Sequence, residues 1–173
     1  MSGFLKPEEI LDKIKLKENM VAADFGCGSG GWVIPLAKKI NKGRIFAIDI
    51  LEEPLSVLES ECKAKGIIGV KTIISDIEDE KGSTLNNESV DLVLLTNLLF
   101  QVENRKEVIK ESFRVLKSGG MVLIVDWKES SLIGPEEGKI SIEDVKKMTE
   151  SLELKFKKEI EAGAYHYALL FTK

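Results

Sequence analysis

At 173 residues, close to the roughly 150 of a typical domain, the chain makes one domain able to bury roughly 70% of its unfolded surface without staples. This excludes a disulfide miniprotein and most two-domain enzymes, and 43% hydrophobic with 31% charged residues and only 4 Pro excludes a disordered or fibrous chain. The 25 Lys and Arg against 29 Asp and Glu give a net charge of −4 with no basic cluster dense enough to track a phosphate backbone, and no run reaches the roughly 18 apolar residues of a membrane span.

The first nineteen residues, rich in Lys and Glu, read as an N-terminal helical segment. Short apolar runs follow at Met20–Phe25, Arg44–Ile50, Val70–Ser75, Val90–Thr96 and Met121–Asp126, the near-continuous kind expected of strands buried on both faces of a parallel sheet. Between them lie helical patterns. One places Leu51, Leu55, Leu58 and Cys62 on a single face; another spans about 102 to 117, with Ile109, Phe113 and Leu116 inward and Gly119-Gly120 as its stop. Residues 127–140, with Gly134-Pro135 and Gly138, read as a long loop, and Ser141-Ile142-Glu143-Asp144 resembles a capping box opening a helix to about Ser151.

From Leu152 the chain alternates, with Leu152, Leu154, Phe156 and Ile160 on one side and charged residues on the other, and a further strand runs Tyr165–Thr172. Only Glu161 to Ala164 separate the two, whereas a parallel crossover needs about a dozen residues, so the last pair must be antiparallel. The expected fold is α/β: a Rossmann-like, doubly wound, seven-stranded sheet, mostly parallel with an antiparallel C-terminal hairpin and helices on both faces. Cys27 and Cys62 lack the number and spacing of a metal or redox motif, so no metal is expected and a reducing, cytoplasmic setting fits.

The stretch Asp24-Phe25-Gly26-Cys27-Gly28-Ser29-Gly30-Gly31 ends the first strand, where glycines let the backbone turn tightly and a ligand approach it. Gly26, Gly28 and Gly31 satisfy the dinucleotide fingerprint, and Asp49 ends the next strand about twenty residues on, as that motif requires. A pyrophosphate fits poorly, however. Asp24 sits two residues before the first glycine, and each like-charge contact at about 4 Å and an effective dielectric near 20 costs up to roughly 4 kcal/mol. Asp76 follows the third strand, so three successive strands end in acids around a glycine turn, an arrangement suited to a nucleoside bearing positive charge.

These residues resemble the class I S-adenosylmethionine-dependent methyltransferases. Asp24 to Gly30 looks like their first motif, Asp49 matches the ribose-binding acid, and Ser75-Asp76-Ile77 the adenine-contacting segment. Asp91 to Phe100 resembles the fourth motif, and Leu116-Lys117-Ser118-Gly119-Gly120 the turn before the fifth strand. Asp126-Trp127, Gly134-Pro135 and His166-Tyr167 look most like the small-molecule branch related to ubiquinone/menaquinone-biosynthesis C-methyltransferases. The resemblance implies S-adenosyl-L-methionine as cofactor and a small-molecule acceptor methylated by in-line displacement. The implied cofactor residues are Asp24, Gly26, Cys27, Gly28, Gly30, Asp49, Ile50, Asp76, Ile77 and Asn97. Within that set Cys27 fills space in the loop, Ile50 and Ile77 stand against the adenine ring or in the core, and Asn97 lines the site.

Nucleic-acid methyltransferases carry Asn/Asp-Pro-Pro-aromatic after the fourth strand; Asn97-Leu98-Leu99-Phe100 keeps the Asn and the aromatic but neither proline, so no nucleic acid is expected as acceptor. The N-terminal segment is expected to cap the cofactor site and residues 127–140 to face the acceptor. His166, the single histidine, is the candidate base, with packing as the alternative. A non-catalytic S-adenosylmethionine-binding subunit and an NAD-dependent oxidoreductase remain as alternatives, and the oligomeric state is open, with a homodimer among the options.

Overall fold

A computed structural model describes residues 5–173; the first four residues of the expected N-terminal segment lie outside the described residues. The elements are α1 (Pro7–Leu11), β1 (Val21–Phe25), α2 (Val33–Lys39), β2 (Arg44–Asp49), α3 (Glu52–Ala64), β3 (Val70–Ile74) and β4 (Val90–Thr96), followed by α4 (Arg105–Val115), β5 (Leu116–Trp127), α5 (Ile142–Glu150), β6 (Lys155–Ala162) and β7 (His166–Thr172). The strands form one sheet in the order β3-β2-β1-β4-β5-β7-β6, parallel from β3 to β5, with β7 antiparallel to both β5 and β6. This is the arrangement expected from the apolar runs and the short final connection. No helix among the described residues is long and apolar enough to cross a membrane.

The sheet separates two cores. One holds Ile10, Leu11, Val33, Leu36, Leu55 and Leu58 against Ala22, Ala47, Leu92 and Leu94, so α1, α2 and α3 cover that face. The other packs Val108, Ile109 and Val145 of α4 and α5 on Ala23, Phe25, Val93, Leu95 and Ile124. Strand β4 is buried almost throughout, which explains why it reads as a continuous rather than an alternating apolar run. Each fully buried Leu or Val of these faces contributes about 1.5–3 kcal/mol.

Three local expectations are corrected. Leu51 is 60% exposed and precedes α3 instead of joining Leu55, Leu58 and Cys62 in the core. The Asp49 carboxylate accepts the Leu51 amide at 3.0 Å, so the chain turns once more before the helix begins. Leu116 is extended and pairs with Val90, so α4 passes directly into β5, and Gly119 (φ +75) marks a register shift inside that strand, not the helix stop. In β6 the register shifts between Phe156 and Lys158. Phe156, 44% exposed, therefore sets its ring edge against Phe171 on one face while Ile160 meets Ala168 in the core of the other, and the two do not share a side. The Ser141 cap is as expected, its hydroxyl accepting the Asp144 amide at 3.0 Å.

Candidate functional site

The strand order reverses between β1 and β4, the point where open α/β sheets bind ligands at their carboxyl edge. A cleft of about 410 Å³ opens there. Four successive segments wall it: Gly26 and Gly28 after β1, Ile48 to Leu51 at the end of β2 with Pro54 in the first turn of α3, Ser75 to Glu78 after β3, and Leu98, Gln101 and Val102 after β4.

The turn after β1 is built by left-handed glycines. Gly26, Gly28 and Gly30 have φ of +68, +50 and +91, whereas Gly31 has no positive φ and nothing within 4 Å of a Cβ built there. A Cβ on Gly26 would sit 2.6 Å from Leu98 Cδ1, and one on Gly30 would overlap Leu58. Glycine is therefore required at 26, 28 and 30, and the third position of the dinucleotide fingerprint, Gly31, is not under that constraint. Gly28 differs from its neighbours in another way: its Cβ position is open space and it faces the cleft.

Hydrogen bonds fix the turn to the next strand. The Gly26 and Cys27 amides donate to Ile48 O at 2.8 and 3.0 Å, and the Gly28 amide donates to Asp49 Oδ2 at 2.8 Å. Asp49 thus holds Gly28 with one oxygen and Leu51 with the other. The Ser75 amide donates to Asp49 O, and Asp76 Oδ1 accepts the Glu78 amide at 2.9 Å, which shapes the third wall. Three carboxylates, Asp49, Asp76 and Glu78, line the cleft, and no Lys or Arg does among the described residues. Ile48, Ile50, Ile77, Leu98 and Val102 supply flat apolar surface beside them.

Six of the expected cofactor residues, Gly26, Gly28, Asp49, Ile50, Asp76 and Ile77, meet in this cleft. The other four, Asp24, Cys27, Gly30 and Asn97, lie behind or beside its lining. Asp24 is fully buried in the sheet with neither oxygen partnered. Burial, and secondarily the Asp49 carboxylate, push its carboxyl well above the usual range. Burial, then Asp24 and Asp49, push the Cys27 thiol up, so it stays protonated and is no nucleophile. Asn97 is held in a left-handed conformation (φ +51) between a bond from its amide to Val125 O, 2.7 Å, and one from Gln101 Nε2 to its carbonyl, 2.6 Å. Its side-chain Oδ1 is buried and unpartnered.

His166 starts β7 opposite Trp127 at the same carboxyl edge, with ring centroids 4.0 Å apart and both ring nitrogens buried without partners. It does not line the cleft; burial, then Lys128, lower its pKa and keep it neutral. Among the described residues of the N-terminal segment none lines the cleft; Ile10 and Leu11 pack in the core beneath α2. Leu51, Pro54, Glu78, Gln101 and Val102 line the cleft without having been expected there. The Asp49-Ile50-Leu51 juncture carried a signal for Leu51, because an acid two residues before an amide favours such a turn. Gln101 and Val102 carried none.

A family model described as a methyltransferase domain matches residues 16–168. The chain is 29% identical over 128 residues to the demethylmenaquinone methyltransferase of Geobacillus kaustophilus, covering 73% of this chain and 53% of that protein. It is 32% identical over 126 residues to the enzyme of the same name from Bacillus subtilis, covering 70% and 51%. The chain therefore spans about half the length of the curated relatives it matches. Among solved structures, an S-adenosylmethionine-dependent methyltransferase from Aquifex aeolicus superposes with a TM-score of 0.87 at 26% identity, covering 98% of this chain and 90% of that one. The [4+2]-cyclase SpnF superposes at 0.84 with 13% identity, covering 96% and 79%, a likeness of fold alone.

Proposed function

The chain belongs to the methyltransferase-domain family, and from that premise we propose that it transfers a methyl group from S-adenosylmethionine to a small-molecule acceptor, releasing S-adenosylhomocysteine. The observation that carries the reading is the cleft's polarity. A pyrophosphate would meet Asp49, Asp76 and Glu78 with no cation opposite, whereas a nucleoside with an apolar base and positive charge meets what it needs. The buried Asp24 makes the same point from behind the turn. Buried polar groups are almost always partnered, and a carboxyl left with both oxygens free suits a ligand that brings positive charge.

In this reading Asp49 takes the ribose hydroxyls, Ile50, Asp76 and Ile77 the adenine, and the Gly26–Gly30 turn, Asp24 and Asn97 the amino-acid end. Bound S-adenosylmethionine supplies a methyl group on a positively charged sulfur, so the leaving group is already activated. The protein's part is alignment and exclusion of water, which is worth about 7–11 kcal/mol. That explains the absence of a nucleophile–base pair among the described cleft residues. Where the acceptor must lose a proton, His166 is the group available at the carboxyl edge, neutral and tilted against Trp127. Residues 127–140 face the acceptor.

The test is incorporation of label from [methyl-³H]S-adenosylmethionine into a cytoplasmic small-molecule extract and into demethylmenaquinone-type rings, the class named for the relatives. Label is expected in a small organic product and not in nucleic acid, and Asp49→Ala is expected to lose it. Binding of the cofactor with no label in any fraction would make the protein a non-catalytic binder.

A further inference from the structure

Two buried carboxylates, Glu111 and Asp126, lie outside the cleft and have no part in the reading above, and Asp126 is the one bonded to a wall of the cleft. Asp126, at the end of β5, is fully buried. Its Oδ2 accepts the Leu99 amide at 2.9 Å and its Oδ1 the Trp127 amide at 2.8 Å. On the other side of the same turn, Arg105 donates from Nε to Leu99 O and from Nη2 to Gly138 O, each at 2.7 Å. Gly138, at φ +80, lies so close that a Cβ there would overlap Phe100 O.

Leu99 is thus gripped through its amide by Asp126 and through its carbonyl by Arg105, and Arg105 carries the second grip on to Gly138. The flanking residues Leu98 and Gln101 wall the cleft. Bonds to a charged partner are about twice as strong as neutral ones, so both grips on Leu99 are of the strong kind. A buried carboxylate is also costly to keep. An apolar residue at this place in β5 would leave the Leu99 amide of the turn without this partner.

We propose that Asp126 and Arg105 are positioning residues that lock the 97–102 wall of the cleft to the 128–140 loop, so that the cofactor side and the acceptor side of the site are ordered as one unit. The functional consequence rests on the reading of the cleft as a cofactor site; the mechanical linkage does not.

The experiment is amide hydrogen exchange on the full chain, wild type against Asp126→Asn and Arg105→Gln, with S-adenosylhomocysteine titrated calorimetrically into each. Either substitution is expected to lower protection in residues 97–102 and 134–140 together while the amides of β1 and β4 keep theirs, and to weaken S-adenosylhomocysteine about tenfold. Arg105→Lys, which keeps a charge but not the fork, is expected to restore only part of this. The proposal is overturned if Asp126→Asn, which touches only the 97–102 side, leaves residues 134–140 as protected as in the wild type, or if both segments loosen and affinity does not change. If the wild type binds no S-adenosylhomocysteine, the cofactor reading fails, and the linkage still stands or falls on the exchange pattern. Should Asp126→Asn not fold, Arg105→Gln, at a half-buried position, keeps the test open through affinity: unchanged binding of S-adenosylhomocysteine with both segments loosened overturns the proposal.

Discussion

Replacing Gly28 or Gly30 with alanine separates what the turn after β1 does for the fold from what it does for a ligand. Both positions are left-handed, at φ +50 and +91, and an L-residue in that region costs about 1–2 kcal/mol. At Gly28 that is the whole cost, because nothing lies within 4 Å of the added Cβ. For a chain of this size it lowers Tm by about 2–8 °C. At Gly30 the methyl would overlap the fully buried Leu58, and overpacking adds about 1–3 kcal/mol, for a total of about 2–5 kcal/mol and a Tm drop of roughly 4–20 °C. Binding should run the other way. The Gly28 methyl enters the cleft, so Gly28→Ala is expected to weaken S-adenosylhomocysteine at least about tenfold, more than Gly30→Ala does in its folded fraction. Thermal unfolding and isothermal titration of the two variants provide both numbers. If Gly28→Ala binds as tightly as wild type, or destabilises as much as Gly30→Ala, the turn is not shaped around a ligand.

Asp49→Ala strands the Gly28 and Leu51 amides and is expected to cost about 1–3 kcal/mol in urea unfolding, together with a loss of S-adenosylhomocysteine affinity that Asp49→Asn only partly shares. Because folding raises the Asp24 pKa, the unliganded protein should lose stability as pH climbs past the unfolded carboxylate value of about 4 toward the raised one, and Asp24→Asn should flatten that slope. Binding of a cationic ligand should release a proton from Asp24, visible as a buffer-dependent heat in the wild type and absent in Asp24→Asn. Far from the cleft, burial pulls the Glu111 pKa up, but hydrogen bonds from Arg114 and Ser83 outweigh it and leave it lowered. Arg114→Ala should therefore cost about 2–3 kcal/mol above pH 5, with the difference shrinking as pH falls through the Glu111 titration, and should leave ligand affinity unchanged.

The sheet was legible because two signals agree in it: apolar runs of strand length and connections whose lengths permit only one direction of pairing. The four-residue gap read before Tyr165, three residues (163–165) in the structure, decided the antiparallel hairpin as firmly as any side chain. Strand ends were less legible where a polar group redirects the backbone. Leu51 kept the spacing of a core residue, but the Asp49 carboxylate captured its amide, and the register shifts at Lys157 and Gly119 likewise broke patterns that assumed unbroken ladders. Within the site, the residues that line the cleft through backbone geometry or a carboxylate at a strand end were readable from glycine spacing and acid position. Gln101 and Val102 were not, since they reach the cleft only through the turn that Asp126 and Arg105 hold, a contact between residues more than twenty apart. His166 had the right chemistry, and its neighbour across the strands, Trp127, became visible only with the register.

The central claim is that the carboxyl edge between β1 and β4 accepts an S-adenosylated cofactor, and calorimetric titration of the wild-type protein with S-adenosylhomocysteine and, separately, with NADH tests it most directly. S-adenosylhomocysteine is expected to bind at one site per chain and to protect the 26–30 and 49–51 amides from exchange, while NADH binds far more weakly. Tighter binding of NADH, or no binding of S-adenosylhomocysteine by a folded protein, would contradict it.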